Sequence, residues 1–408
     1  MSLSRTMVAA ALTAATLVAT AGTAAADDTG TIADTYRSVY PKISATAAET
    51  AATQADARRK LYSKLSGEHA ATFGGAWFDP PSGVVHVAAT TQETAGIAAA
   101  AGRSLGLRVQ THLVEHSHAD LERKAAVLRD GGGELGRAAR GQVGIDVENN
   151  RVVAAVPAHR RTGLLENART AGVSVVADPE QRPVDDACTS RTNCDDSLRA
   201  GSVLWRRSGA SNINWCSAGF TARDPWDNRY IFTAGHCTTG AGVTWGTGSQ
   251  SIGPMWAAID SGSMDVALIQ VTSSTFTNDL GGELYHEDFG DRSADVDGFA
   301  RTLSYIVQGE TVCLSANYVV VNGRNRCGVI DRTSDWWNQN KVRVDGVDAC
   351  GGDSGGGWYW LANGRREAYG IHSESDEGCN GGQGGDHSWF TPMPTALALL
   401  PVLTVETR

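Results

Sequence analysis

No cysteine stands before residue 188 in this chain of 408 residues, so the first half of the sequence cannot be cross-linked. All eight, Cys188, Cys194, Cys216, Cys237, Cys313, Cys327, Cys350 and Cys379, fall in the second half. An even set confined to one region predicts disulfides there and an oxidising destination for that region. Past the first residues there is also no run of about 18 apolar residues, which leaves no candidate for a spanning helix. Positive charge is in deficit: the formal net charge is -10, which argues against a general nucleic-acid binder. A zinc-ligand spacing is missing as well. His112, His116 and His118 lie close together without such a pattern and read as ordinary surface histidines, and no metal or organic cofactor is expected.

What the sequence does contain begins with MSLSRTMVAAALTAATLVATAGTAAADD, in which Arg5 precedes a short apolar stretch and small residues ending at Ala26. That layout predicts a secretory signal peptide over 1–26, too short and too threonine-rich to span a membrane, and hence an extracellular product. From residue 27 to about 60 the chain is rich in Ala and Thr and reads as helical or partly ordered.

A pattern then occurs twice. GAWFDPPSGVVHVAATT, TAGIAAAAGRSLG and LRVQTHLV read as hairpin, helix and strand; GQVGIDVENNRVVAAVPA, TGLLENARTAG and VSVVAD repeat the order. Between them HADLERKAAVLRD sets Leu121, Ala125 and Leu128 on one helical face behind Ser117 as cap. The stretch 27–180 is thus a cysteine-free α+β region. The charged, proline-containing segment from 178 to 200 reads as a boundary. Beyond it, over 181–408, short β-type runs such as RYIFTA, DVALIQV, NYVVVN and KVRVDGV alternate with Gly, Asn, Ser and Asp until TALALLPVL near the end, which predicts an all-β domain of barrel type with a C-terminal segment.

Three stretches carry chemistry. VDACGGDSGGG surrounds Ser354 with glycines, residues used where the backbone takes unusual dihedrals or another group comes very close. YIFTAGHCTTG places His236 after an apolar strand and beside Cys237. SMDVALIQV opens an apolar strand with Asp265, a carboxylate that needs a partner because an unpaired buried charge is costly. Taken alone, each has a plain structural explanation. In the order His, Asp, Ser, however, TAGHC, DVAL and GDSGG resemble the chymotrypsin-like serine peptidases (family S1), and GAWFD with NRVVAAVP resembles the propeptide of the alpha-lytic protease and streptogrisin branch.

The resemblance implies two six-stranded β-barrels of chymotrypsin type, with a C-terminal segment, preceded by an α+β propeptide that assists folding and inhibits the enzyme until it is removed between about 175 and 190. It implies Ser354 as nucleophile, His236 as general base, Asp265 as the group orienting His236, and the backbone N–H groups of Gly352 and Ser354 as oxyanion hole. Disulfides Cys216–Cys237, Cys350–Cys379 and Cys313–Cys327 are implied as well, leaving Cys188 and Cys194 to pair locally. The expected partners are protein or peptide substrates and the chain's own propeptide; the mature form is expected to be a monomer that binds neither nucleic acid nor membrane. A catalytically silent binding protein on the same barrel is the competing class.

Two features depart from the bacterial branch. A single residue, Gly351, separates Cys350 from GDSGG, the spacing of animal trypsins, and Leu314 stands where that branch carries an arginine to pair with the aspartate before the serine, leaving Asp353 without an identified partner. For primary specificity the sequence points two ways. Asp348 stands six residues before Ser354, where trypsin-like members carry the carboxylate that receives Arg or Lys. His372 and Ser375, flanking Ser373 in YGIHSES, stand where glutamate-specific members hold the substrate carboxylate. The acidic residues Glu374, Asp376, Glu377 and Asp386 near that wall favour cleavage after Arg or Lys, with Glu-specific or broad apolar cleavage as the alternatives.

Overall fold

The structure is a computed structural model that describes residues 21–139, 142–177, 184–185, 198–208, 211–238, 243–248, 250–277, 281–285, 293–316, 326–336, 338–347, 349–376 and 387–408. Three helices lead the chain, Ala21–Val39, Ala45–Thr53 and Ala55–Glu68. Two units of one design follow. In the first, Phe73–Asp79 and Val84–Ala89 form an antiparallel hairpin, and after the helix Gln92–Ser104 the strand Arg108–Leu113 returns parallel to the hairpin's second strand. In the second, Val143–Asp146, Arg151–Val156, the helix Ala158–Ala171 and Val173–Ala177 repeat that topology. The turns fall where Asp79-Pro80-Pro81-Ser82-Gly83 and Glu148-Asn149-Asn150 stand, with Gly83 at φ 66° and Asn150 at φ 50°. The linking helix His118–Arg129 starts in a capping box, the Ser117 hydroxyl accepting from Asp120 N while Asp120 takes the Ser117 N–H. One expectation fails here: His118 is buried, and burial pushes its imidazole below the usual range. His112 is not a lone surface residue either, since its ring bonds His86 at 3.0 Å and stacks on Trp77.

The C-terminal half is all-β. Its second barrel closes with six strands: Arg365–Ser375, Gly357–Ala362, Thr311–Ser315, Arg326–Asp335, Lys341–Asp345 and His387–Pro392, the last pairing back onto the first. Val312, Leu314, Ile330, Val344, Trp358 and Phe390 fill it. The other sheet is a half-barrel, called the first barrel below, and its order runs Thr221–Arg223, Arg229–Thr233, Met264–Gln270, Gln250–Ser261, Thr244–Thr247, Val203–Ser208 and Ser211–Ser217. One bent segment serves both of its edges: Ser211–Ser217 pairs with Val203–Ser208, and a few residues on Thr221–Arg223 pairs with Arg229–Thr233. TALALLPVL yields only the short helix Met393–Leu397, after which Thr404–Val405 ties the C-terminal end to Thr221–Arg223.

The N-terminal region packs on the second barrel. Phe78 N–H bonds Gln308 O at 2.9 Å, and Ile145 N–H bonds the Ser334 hydroxyl at 3.0 Å. Two arginines of the third helix reach buried carboxylates, Arg58 to Glu310 and Arg59 to Glu367.

Candidate active site

His236 lies just past the strand Arg229–Thr233, and Asp265 sits near the start of Met264–Gln270, which pairs with it so that Thr233 faces Ala267. Strand pairing therefore brings the two residues together across 29 positions of sequence. Gly235 makes the approach possible, because a Cβ there would lie 2.0 Å from Ile259 O and 3.0 Å from an Asp265 oxygen. The Cys216–Cys237 bridge fastens the next residue to the opposite edge of the barrel.

The contacts are specific. Asp265 accepts from His236 twice, through Oδ1 from the backbone N–H at 2.9 Å and through Oδ2 at Nδ1 at 2.8 Å. His236 Nε2 lies 2.9 Å from Ser354 Oγ. A carboxylate can only accept, so the imidazole proton is on Nδ1, and Nε2 is left to accept from the serine hydroxyl. Asp265 is buried, which by itself opposes ionisation. The hydrogen bond and charge of His236, the Lys341 ammonium and the Ser373 hydroxyl outweigh that burial and hold the carboxyl well below its usual range. Such an arrangement can activate a hydroxyl: a base touches it, and a buried anion fixes the base's tautomer.

Around Ser354 the backbone takes glycine conformations, with φ +103° at Gly352 and +88° at Gly355. A Cβ on Gly355 would meet Thr233 Oγ1 at 2.2 Å. The Gly352 carbonyl accepts from the Ser217 hydroxyl at 2.7 Å, and Ser217 N–H bonds Ser354 O at 2.7 Å, so the serine loop is anchored to the first barrel. Asp353 has a partner in its own loop, the Cys350 N–H at 2.8 Å, in place of the absent arginine.

Of the residues expected to bind substrate, His372, Ser373 and Ser375 share the strand Arg365–Ser375. Asp348 lies outside the described residues, as do Cys188, Cys194, Cys379, Glu377 and Asp386. His372 is buried, and its Nδ1 accepts from Trp358 Nε1 at 3.3 Å. Ser375 donates to Ala349 O at 3.1 Å. The Ser373 hydroxyl donates to Asp265 Oδ2. The two described members of the acidic cluster are compensated: Lys341 contacts Glu374, and His387 bonds Asp376 at 2.8 Å. Sequence reasoning missed Thr391, whose hydroxyl accepts from Asp265 N–H at 3.1 Å, and Lys341. A lysine at the head of the strand-like KVRVDGV was the available signal, by the same logic that singled out Asp265.

The described residues also bring Cys216, His236 and Cys237 close enough to suggest metal ligation, but both sulfurs are in the bridge and neither is a thiolate. The second bridge is Cys313–Cys327, and Cys350 is disulfide-bonded as well.

Comparison with known families matches residues 210–398 to the trypsin family. These residues form a trypsin-family domain. The chain is accordingly a serine-type endopeptidase, acting on peptide substrates. No curated protein matches it. Among solved structures, a Nocardiopsis protease (NAPase) is 22% identical over 52% of this chain and 100% of its own, with a TM-score of 0.38. The inactive form of the Rv3671c protease is 15% identical over 49% of this chain and 87% of its own, with a TM-score of 0.29. The trypsin-family domain begins after the boundary segment read from the sequence and contains His236, Asp265 and Ser354.

Proposed function

We propose that the chain is the precursor of an exported endopeptidase that hydrolyses peptide bonds through Ser354, His236 and Asp265. The observation that carries this is the placement of the His236 ring, 2.8 Å from Asp265 on one nitrogen and 2.9 Å from Ser354 on the other. Ser354 Oγ attacks the substrate carbonyl carbon while His236 Nε2 takes its proton. The carbonyl oxygen becomes an oxyanion, received by the N–H groups of Gly352 and Ser354. Collapse breaks the C–N bond, His236 returns the proton to the departing amine, and an acyl-enzyme remains. Water then repeats the sequence, with His236 again as base. Asp265 stays ionised throughout and stabilises the imidazolium. Labelling of the processed protein by a fluorophosphonate, lost in Ser354→Ala, is the test. A folded, processed wild type that takes no label would leave a silent barrel instead.

Residues 27–180 are proposed as the inhibitory and folding-assisting region, removed near the boundary segment. Support comes from the backbone of Val184–Asp185, which pairs antiparallel with Glu374 and Ser375 on the edge of Arg365–Ser375, so a piece of the expected junction occupies a strand edge next to the triad. Folding assistance is reasonable for a domain dominated by slow non-local β pairing. Equal yields of active enzyme from residues 181–408 with and without the N-terminal region supplied would count against it. Export is supported by the signal-like N-terminal sequence and by the disulfides; among the described residues no helix is long and apolar enough to cross a membrane.

Primary specificity is proposed to be for Glu, ahead of the Arg or Lys that the sequence favoured. The basic preference drew on acidic charge that Lys341 and His387 compensate, and on Asp348, which is not described. One observation favours a carboxylate: Trp358 donates into Nδ1 of His372, which puts the ring proton on Nε2 and makes that nitrogen a donor. A peptide-library digest decides. Cleavage after Glu that is lost in His372→Val supports the proposal; cleavage after Arg or Lys that is lost in Asp348→Ser restores the other.

A further inference from the structure

Lys341 heads the strand Lys341–Asp345 and is 4% exposed. A buried ammonium is expensive and needs compensation. It contacts Glu374 Oε1, and Asn338 Nδ2 donates to the other oxygen of that carboxylate at 3.2 Å. Glu374 directly follows Ser373 in the strand Arg365–Ser375. The Ser373 hydroxyl is within reach of two carboxylates, Asp265 Oδ2 and, at 3.2 Å, Glu374 Oε1.

A serine hydroxyl has one proton to donate. Asp265 and Glu374 therefore compete for it, and the outcome depends on how well each anion is otherwise satisfied. Asp265 already holds two bonds from His236. Glu374 holds the amide of Asn338 and the charge of Lys341. We propose that Lys341 is a positioning residue for the peptidase reaction: by neutralising Glu374 it commits the Ser373 proton to Asp265, and so keeps the Asp265–His236 pair in its working arrangement. This rests on His236, Asp265 and Ser354 being the triad.

The surroundings agree with that division. Asp335, opposite Lys341 on the neighbouring strand, is bonded by Trp389 Nε1 at 2.8 Å and by Arg332 at 3.2 Å. His387, on the strand that pairs with Lys341–Asp345, is engaged by Asp345 at 3.1 Å and Asp376 at 2.8 Å. On the strand carrying Glu374, His372 faces Trp358. The Lys341 charge is also felt at Asp265, where it favours the ionised carboxylate.

The test is the acid limb of kcat/KM against pH, measured on processed enzyme with a peptide substrate. In Lys341→Met the unopposed Glu374 anion stabilises the His236 imidazolium and draws the Ser373 proton away, so the limb moves up by about half a pH unit or more. kcat near neutral pH falls about tenfold with little change in KM. In Glu374→Gln the ammonium loses its Glu374 partner, and the limb moves down. Opposite displacements support the inference; limbs that stay in place or move the same way overturn it. If Lys341→Met does not fold, Glu374→Gln decides alone, a downward limb supporting and any other result overturning. Wild type that takes no fluorophosphonate label would instead remove the triad assignment beneath it.

Discussion

Arg58, on a helix of the N-terminal region, holds Glu310 of the catalytic half through two hydrogen bonds of 2.7 and 2.9 Å, with both side chains buried. The guanidinium also donates to Ala51 O at 2.7 Å and lies 3.8 Å from the centre of the Phe78 ring. The pair joins two parts of the chain that the sequence separates by 252 residues.

Removing one partner leaves the other charge buried and alone, which costs about 3–5 kcal/mol. Arg58→Ala in the full-length Ser354→Ala chain is therefore expected to lower the thermal midpoint by several degrees. Replacing Arg58 and Glu310 together by Met and Leu should recover most of the loss. Differential scanning calorimetry of the three proteins measures both effects.

Asp265→Asn keeps the shape of the side chain but offers His236 Nδ1 an amide, which favours the wrong tautomer. A fall in kcat of about 10⁴-fold is expected, with circular dichroism unchanged. Active-site titration ensures that only folded enzyme is counted.

His387 lies between Asp345 and Asp376, and their hydrogen bonds raise its imidazole from 6.5 to about 9. Because the folded value is the higher one, the stabilisation is complete below about pH 6.5 and is lost as the pH rises through about 9. Thermal midpoints of the full-length Ser354→Ala chain should decline across that window. His387→Gln should start lower and show a shallower decline.

The Cys216–Cys237 bridge closes a span of 21 residues, a loop for which the chain-entropy estimate is about 3 kcal/mol. Its sulfurs also fix the residue next to His236. Replacing both cysteines by Ser is expected to lower the midpoint for urea unfolding and to reduce kcat more than it raises KM. The pair Cys313→Ser with Cys327→Ser, on paired strands of the second barrel, should affect stability alone.

Much of this protein could be read from the chain itself, because local physics writes directly into sequence. The repeated hairpin, helix and strand of the N-terminal region follow from period and turn chemistry: Gly83 and Asn150 sit at the positive φ those turns require, and Ser117 with Asp120 caps its helix. The grouping of His236, Asp265 and Ser354 was legible through the motifs TAGHC, DVAL and GDSGG taken in that order, although each stretch alone has a plain structural explanation. Tertiary structure alone decided where the remaining side chains find partners. Lys341 and Glu374 stand 33 positions apart, and Ser373 and Asp265 stand 108 apart. Nothing local couples them, so the acidic stretch after Ser373 read as free charge when part of it is neutralised. The same reason hid the Arg58–Glu310 pair and the burial of His118: sequence fixes what a side chain can do, while barrel closure and docking decide which other group it meets.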